Sequence, residues 1–298
     1  MEKVLNVIKD VLDVSESEIT NISSLGGMTN INYQATVGNE KYIIRMPGLG
    51  TEKIINRSEE KKNLEIGVML DINPKQVYFD TKTGLKITQM IPGAETLTPT
   101  TTKEKEVMKK VTDVLRKLHN STVQMGNEFK LYELMEQYEN NALEATAQFF
   151  EQFEEVKKAV WRVRQSYELL PVKKTPCHID ALHENFVMDE NGKLYLIDWE
   201  YSGMYDPFWD LATHLIESDF TEREENQFLQ YYFEREATKE EKERILIHKI
   251  FQDYLWSLWT IFKEAIGDDF GSYGQDRFER LERNLNVFEQ LQSQKTVV

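Results

Sequence analysis

Three oxygen-bearing side chains at short intervals are the residues of this sequence best equipped for chemistry. Residues 178–185 read His-Ile-Asp-Ala-Leu-His-Glu-Asn, the pattern H-x-D-x-x-x-x-N, and Asp198 ends a short apolar run further on. In loops of this pattern the aspartate meets an acceptor hydroxyl and the asparagine binds magnesium, as phosphoryl transfer requires. A hard cation takes its ligands from carboxylate and amide oxygens and bridges phosphates, while a separate carboxylate orients the attacking hydroxyl. That division gives Asp180 the hydroxyl, and gives Asn185 and Asp198 the cation. Taken singly, Asp198 reads as a turn cap and Asn185 as a loop amide satisfying backbone groups. Their spacing as a set favours chemistry. His178 reads as a scaffold for the loop, and His183-Glu184 lacks the H-E-x-x-H spacing of a helical zinc site, so no transition metal is expected.

The elements around these residues must bring them together. Residues 186–188 and 194–197 are short β-rich runs around Asp189-Glu190-Asn191-Gly192, so the three oxygen ligands would converge at one end of a hairpin. Residues 103–119 place Val107, Val111, Leu115 and Leu118 on one helix face, and a further apolar helix is expected over 245–262. The first ninety or so residues look mixed. Residues 33–37 and 40–45 flank the turn Gly38-Asn39, residues 59–70 are helical in composition, and 84–91 is again a short apolar run closed by Pro92-Gly93. A boundary there predicts lobes at 1–92 and 93–298. The segment Leu25-Gly26-Gly27-Met28-Thr29-Asn30 precedes the hairpin, and its glycines let backbone amides approach phosphates. Arg45, on the second strand of the hairpin, is permanently charged and forks onto phosphate. Glu60 is its expected partner, with Glu59 the rival; a solvated face is the plainer reading of Glu59-Glu60-Lys61-Lys62.

The bulk numbers bound the partners. A chain of 298 residues with 40% apolar content can bury a core. Its 36 Lys and Arg against 51 Asp and Glu, a formal charge of −15, argue against a nucleic-acid surface and suit a cationic ligand, although solubility alone accounts for such a balance. The single Cys177 cannot form an internal disulfide, which implies a reducing compartment. The amino-terminal stretch MEKVLNVIKDVLDV interrupts each apolar run with Lys, Asp or Asn and reads as an amphipathic helix, not a signal peptide; no membrane insertion and a cytoplasmic location are expected.

With these motifs in hand, the sequence resembles the choline/ethanolamine kinase family, most closely its bacterial choline kinases, within the aminoglycoside-phosphotransferase-like group. The resemblance is carried by L-G-G-M-T-N-I-N-Y at 25–33, Y-I-I-R at 42–45, the loop at 178–185, L-I-D-W-E-Y at 196–201, D-P-F-W-D-L-A at 206–212 and W-S-L-W at 256–259. It implies an α+β, two-lobed, protein-kinase-like fold with a small antiparallel-sheet lobe and a larger helical one. It implies ATP and Mg2+ as cofactors, Asp180 as the residue receiving the choline hydroxyl proton, and Asn185 and Asp198 on magnesium. Gly27, Thr29, Asn30, Arg45 and Glu60 would serve the nucleotide, with Gln89 and Ile91 in a hinge whose backbone bonds the adenine. Asp210 would brace the loop. D-W-E stands where D-F-G would be in a protein kinase and no A-P-E follows, so no activation loop and a small acceptor are expected.

The acceptor is the finer question. A quaternary ammonium donates no hydrogen bonds and must be held by aromatic faces and carboxylates, each ring contributing about 0.5–2 kcal/mol. The resemblance places such rings at Trp256, Trp259, Phe270 and Tyr273, with Tyr201 and Glu217. From periodicity alone, Trp256 and Trp259 are core residues of an apolar helix with Leu255, Leu258 and Ile261, and Glu217 is an exposed helix residue. Ethanolamine, an aminoglycoside or another small alcohol is the rival acceptor. A catalytically silent module that binds nucleotide or choline is the rival from outside enzymes.

Overall fold

The structure, a computed structural model, describes residues 1–26, 30–48 and 55–296. Helix α1 (Glu2–Leu12) buries Val4 and Ile8, one turn apart on a single face, and packs them with Ala35, Ile44 and Ile87 of the sheet. The hairpin of β2 (Asn30–Val37) and β3 (Glu40–Pro47) closes at Gly38, where φ is +58° as a tight turn demands. With β1 (Ile19–Gly26), β4 (Gln76–Phe79) and β5 (Lys86–Gln89) it forms an antiparallel sheet in the order β1-β2-β3-β5-β4. The register pairs Arg45 with Asn32 on one side and Lys86 on the other. Strands β1 and β4 escape sequence reading because they are edges: half of β1 is solvent-facing Thr, Asn and Ser without apolar alternation.

Helix α2 (Arg57–Met69) lies between β3 and β4 in the chain, and Asn56 caps it by accepting from the backbone N–H groups of Ser58 and Glu59. One face of α2 is bolted to the helical half. Asn63 Nδ2 donates to the Ser202 carbonyl at 2.8 Å, and a Cβ on Gly67 would lie 2.6 Å from Trp199 Cζ2. Leu64 and Ile72 join the core of that half.

After β6 (Glu95–Thr96) the chain is mostly helical: α3 (Lys105–His119), α4 (Leu131–Glu144) and α5 (Phe153–Glu168) precede β7 (Thr175–Cys177). Val107, Val111, Leu115 and Leu118 are buried on α3 as their spacing predicts. Strands β8 (Phe186–Met188) and β9 (Leu194–Leu196) form the expected hairpin, extended by β6, while β10 (Gly203–Tyr205) pairs with β7. Helices α6 (Phe208–Glu217), α7 (Glu222–Phe233), α8 (Lys239–Ala265) and α9 (Tyr273–Thr296) complete the fold. One core lies under β8 and β9 against α3, α6 and α7; a second joins α4, α5, α8 and α9 around Trp209. The architecture is α+β and protein-kinase-like, an antiparallel sheet followed by a helical part, as expected. Among the described residues, no helix is long and apolar enough to cross a membrane.

Candidate active site

The loop from β7 to β8 is held by groups that converge on two consecutive residues. Asp210, in the first turn of α6, accepts from the His178 N–H with Oδ2 and from the Ile179 N–H with Oδ1, each at 2.7 Å. The neighbouring Trp209 Nε1 donates to the Ile179 carbonyl at 2.8 Å. Both backbone polar groups of Ile179 are thus clamped, and they need to be: its φ is +73°, a region costly for a β-branched residue. This explains why Trp and Asp stand side by side in D-P-F-W-D-L-A. His119 from α3, absent from the sequence reading, lies 3.0 Å from Asp210 Oδ2, with Tyr232 on its other ring nitrogen at 2.8 Å. His178 is fully buried with its ring edge-on to Trp199 at 4.9 Å, and burial holds its pKa below the usual histidine range, which suits a scaffold and not a base.

The three predicted oxygen ligands come together. Asn185 Nδ2 donates to the Asp180 carbonyl at 2.7 Å and to Asp180 Oδ2 at 3.0 Å, and the Ile197 N–H donates to the Asn185 carbonyl at 2.9 Å, drawing Asp198 to the same end. Asp198 itself has φ +68°. Burial, then repulsion from Asp198, Glu200 and Glu217, pushes the Asp180 carboxyl well above the ordinary aspartate range, against a smaller opposing effect of Asn185.

Beside them lies a buried knot of charge. Arg45 Nη1 reaches Glu60 Oε1 at 2.5 Å and Asp198 Oδ1 at 3.3 Å, and Nη2 donates to the Gly84 carbonyl at 3.1 Å. Glu60 is therefore the partner, because it shares the inward face of α2 with Asn63 and Gly67, while Glu59 pairs with Lys62 at 2.9 Å. Burial opposes the charge on Arg45, but Glu60, Asp198 and Glu200 outweigh it and raise its pKa. Two members, Arg57 and Glu200, were missed in the sequence, while Asn30 was expected. Arg57 lies 2.6 Å from Glu60 Oε2 and 3.0 Å from Glu200 Oε2, and Asn30 Nδ2 donates to Glu200 at 3.1 Å. The only local clue to Glu200 is its place two residues after Asp198 in D-W-E. Nothing local marks Arg57, which starts a charged helix. One oxygen from each of Glu60, Asp198 and Glu200 lies within 4.8 Å of the others, but Arg45 Nη1 stands among them, so it is Asp198, its side chain 34% exposed, that could offer an oxygen to a divalent cation.

The remaining nucleotide residues are placed unevenly. Gly27 and Thr29 lie outside the described residues. Gln89 spends its side chain on Glu40 at 2.6 Å, which leaves only its backbone for a ligand. The Met90 N–H donates to Lys41, the Ile91 carbonyl accepts from Ala94, and the Pro92 carbonyl accepts from Glu190, so the 89–92 connector ties the sheet to the β8–β9 turn.

The aromatic residues form a train of rings. Tyr201 meets Trp256 edge-on at 5.8 Å, Trp256 meets Trp259 at 6.4 Å, and Trp259 meets Phe270 at 4.8 Å. Trp256 and Trp259 are half-buried and pack against the second core, while Leu255 and Leu258 beside them are fully buried within it. The helix thus carries a fully buried stripe beside a partly exposed aromatic one. Tyr273 is covered at 4.6 Å by the guanidinium of Arg277, another residue the sequence did not flag. Arg277 is buried, pairs with Glu217, and lies 3.1 Å from Asp253. Glu217 is thus a compensated carboxylate, not an isolated one.

A family model described as choline/ethanolamine kinase matches residues 21–282, a span that contains every motif above. The chain belongs to the choline/ethanolamine kinase family. It is accordingly an enzyme, an ATP-dependent kinase. Among curated proteins it is 30% identical over 279 residues to protein LicA of Haemophilus influenzae, covering 90% of this chain and 80% of that one. The crystal structure of choline kinase LicA from Streptococcus pneumoniae superposes with a TM-score of 0.85 at 38% identity, covering 96% of this chain and 98% of that chain. A second crystal structure, LicA in complex with AMP, gives 0.83 at the same 38% identity, with coverage of 96% and 98%. The GDP complex of an aminoglycoside 2'-phosphotransferase-IIIa variant gives 0.66 at 16% identity, covering 95% and 96%, a likeness of fold alone.

Proposed function

We propose that this kinase transfers the γ-phosphate of ATP to the hydroxyl of choline. The observation that carries the choice of acceptor is the train of half-buried rings from Tyr201 to Phe270, which begins three residues after Asp198. Such a surface suits a trimethylammonium group, which has no N–H to donate and is held by π faces. The crystallised relative that is named a choline kinase supports the same reading.

In this reading residues 1–92 hold the nucleotide, with Gln89 and Ile91 of the connector lending backbone groups to the adenine, and residues 93–298 hold choline and the catalytic loop. Asp180 accepts the hydroxyl proton as the new O–P bond forms, and its raised pKa makes it a stronger base than an exposed aspartate. The Asn185 amide steers the Asp180 side chain through its 3.0 Å bond. Magnesium, held by Asn185 and Asp198 with Glu200 beside them, would neutralise phosphate charge. Trp256, Trp259, Phe270, Tyr273 and Tyr201 enclose the ammonium, and Glu217 supplies a carboxylate at its edge. The kinase works in the cytoplasm, a reading supported by one unpaired, buried Cys177.

The test is a coupled ADP-release assay with choline, ethanolamine and kanamycin as acceptors and magnesium present. Choline is expected to give the largest kcat/KM. Preference for ethanolamine or kanamycin overturns the acceptor, and binding without ADP release for any of them overturns catalysis.

A further inference from the structure

Lys86 is a buried cation that the mechanism above leaves without a role. It stands on β5 directly across from Arg45 on β3, so both side chains leave the same face of the sheet toward the acidic knot. Its side chain is 12% exposed and its ammonium lies 4.0 Å from Glu60 Oε1, too far for a hydrogen bond. Among the described residues it makes none.

Arg45 is in the opposite position. Nη1 serves Glu60 and Asp198, Nη2 serves the Gly84 carbonyl, and Nε is buried without a partner. Three of its five N–H donors are engaged, so the guanidinium is pinned in one plane and offers a phosphate only Nε and one N–H of Nη2. Lys86 carries three uncommitted N–H donors on a flexible stem and would break nothing. Its charge also falls beside the catalytic carboxylates: its cross-strand neighbour Arg45 lies 3.3 Å from Asp198. Burial and the nearby Arg45 weaken the hold of Lys86 on its own proton, a cost that an arriving polyanion removes.

We propose that Lys86 is the residue that contacts the β- and γ-phosphoryl groups of the nucleotide, while Arg45 is a positioning residue that holds Glu60 and Asp198. The two jobs that a single lysine performs in protein kinases, gripping phosphate and pairing with a helix glutamate, are divided here between facing residues of neighbouring strands. The proposal rests on the cleft binding nucleotide.

Calorimetric titration of the full-length protein with AMP and with a non-hydrolysable β,γ-imido analogue of ATP, both with magnesium, separates the two. Lys86→Met is expected to weaken the analogue about 10- to 100-fold, the worth of a charge-assisted hydrogen bond, while AMP affinity stays within about twofold. Lys86→Arg is expected to recover most of the loss. Equal weakening of both ligands by Lys86→Met, or no change in either, overturns the assignment. So does an Arg45→Met variant that loses analogue affinity with AMP unchanged while Lys86→Met keeps it. If the wild-type protein binds neither ligand, the nucleotide cleft itself is wrong, a failure distinct from that of Lys86.

Discussion

Asp210→Asn isolates the clamp on the catalytic loop, because it removes charge and one acceptor while keeping the shape of the side chain. The carboxylate now accepts from two buried backbone N–H groups, each at 2.7 Å. An asparagine offers one oxygen, so its NH2 must face either the His178 or the Ile179 N–H, donor against donor. A lost charge-assisted bond and an orphaned buried donor together cost about 3–5 kcal/mol. For a chain of this size that is a fall in Tm of about 6–10 °C. The loop is also under tension at Ile179, so release at one end moves Asp180. A displacement of about 1 Å at a reacting group costs on the order of 100-fold in rate. Scanning calorimetry and steady-state kinetics should therefore show a lower Tm and a kcat down about 100-fold, with KM for ATP changed less than about threefold. A variant with the lower Tm and an intact kcat would make Asp210 a stabiliser only, and one with both intact would refute the argument.

Further outcomes follow from the pocket and from α2. Trp256→Ala removes one ring of the train and should raise KM for choline about 2- to 30-fold, with a smaller rise for ethanolamine; parallel rises would mean that the rings do not form a cation cage. Glu217→Gln removes one of the negative charges that raise the Asp180 carboxyl, so that group should ionise at lower pH. The acid limb of the kcat profile should accordingly shift to lower pH, and a limb that stays or moves upward would exclude Asp180 as the base. Gly67→Ala forces a methyl to within 2.6 Å of Trp199 and should lower stability by about 1–3 kcal/mol, read as a lower midpoint in urea. An unchanged midpoint would mean that the helix contact is loose.

The sequence made local arrangements legible and hid those built by distant charges. The loop at 178–185 could be read because its members lie within one short turn, and the helix through Val107 and Leu118 because burial follows period. Arg57, Lys86, Glu200 and Arg277 could not, since each gains its role only when α2, β5, the stretch after β9 and α9 meet. Glu59 and Glu60 are equivalent in composition, and only the rotation of α2 against the Ser202 carbonyl and Trp199 separates them. Trp256 and Trp259 show the limit of periodicity. Half-buried rings and fully buried leucines occupy adjacent stripes of one helix, and a pattern of apolar residues does not distinguish the stripes.

The anchorage of α2 bears on control. In protein kinases the glutamate-bearing helix is movable, and its position turns catalysis on and off. Here that helix has no clearance to roll, since Gly67 abuts Trp199 and Asn63 is fastened to the Ser202 carbonyl. Glu60 is therefore seated before any substrate arrives. An enzyme wired this way has no resting pose to escape from, so its throughput follows the supply of its substrates and the number of copies synthesised.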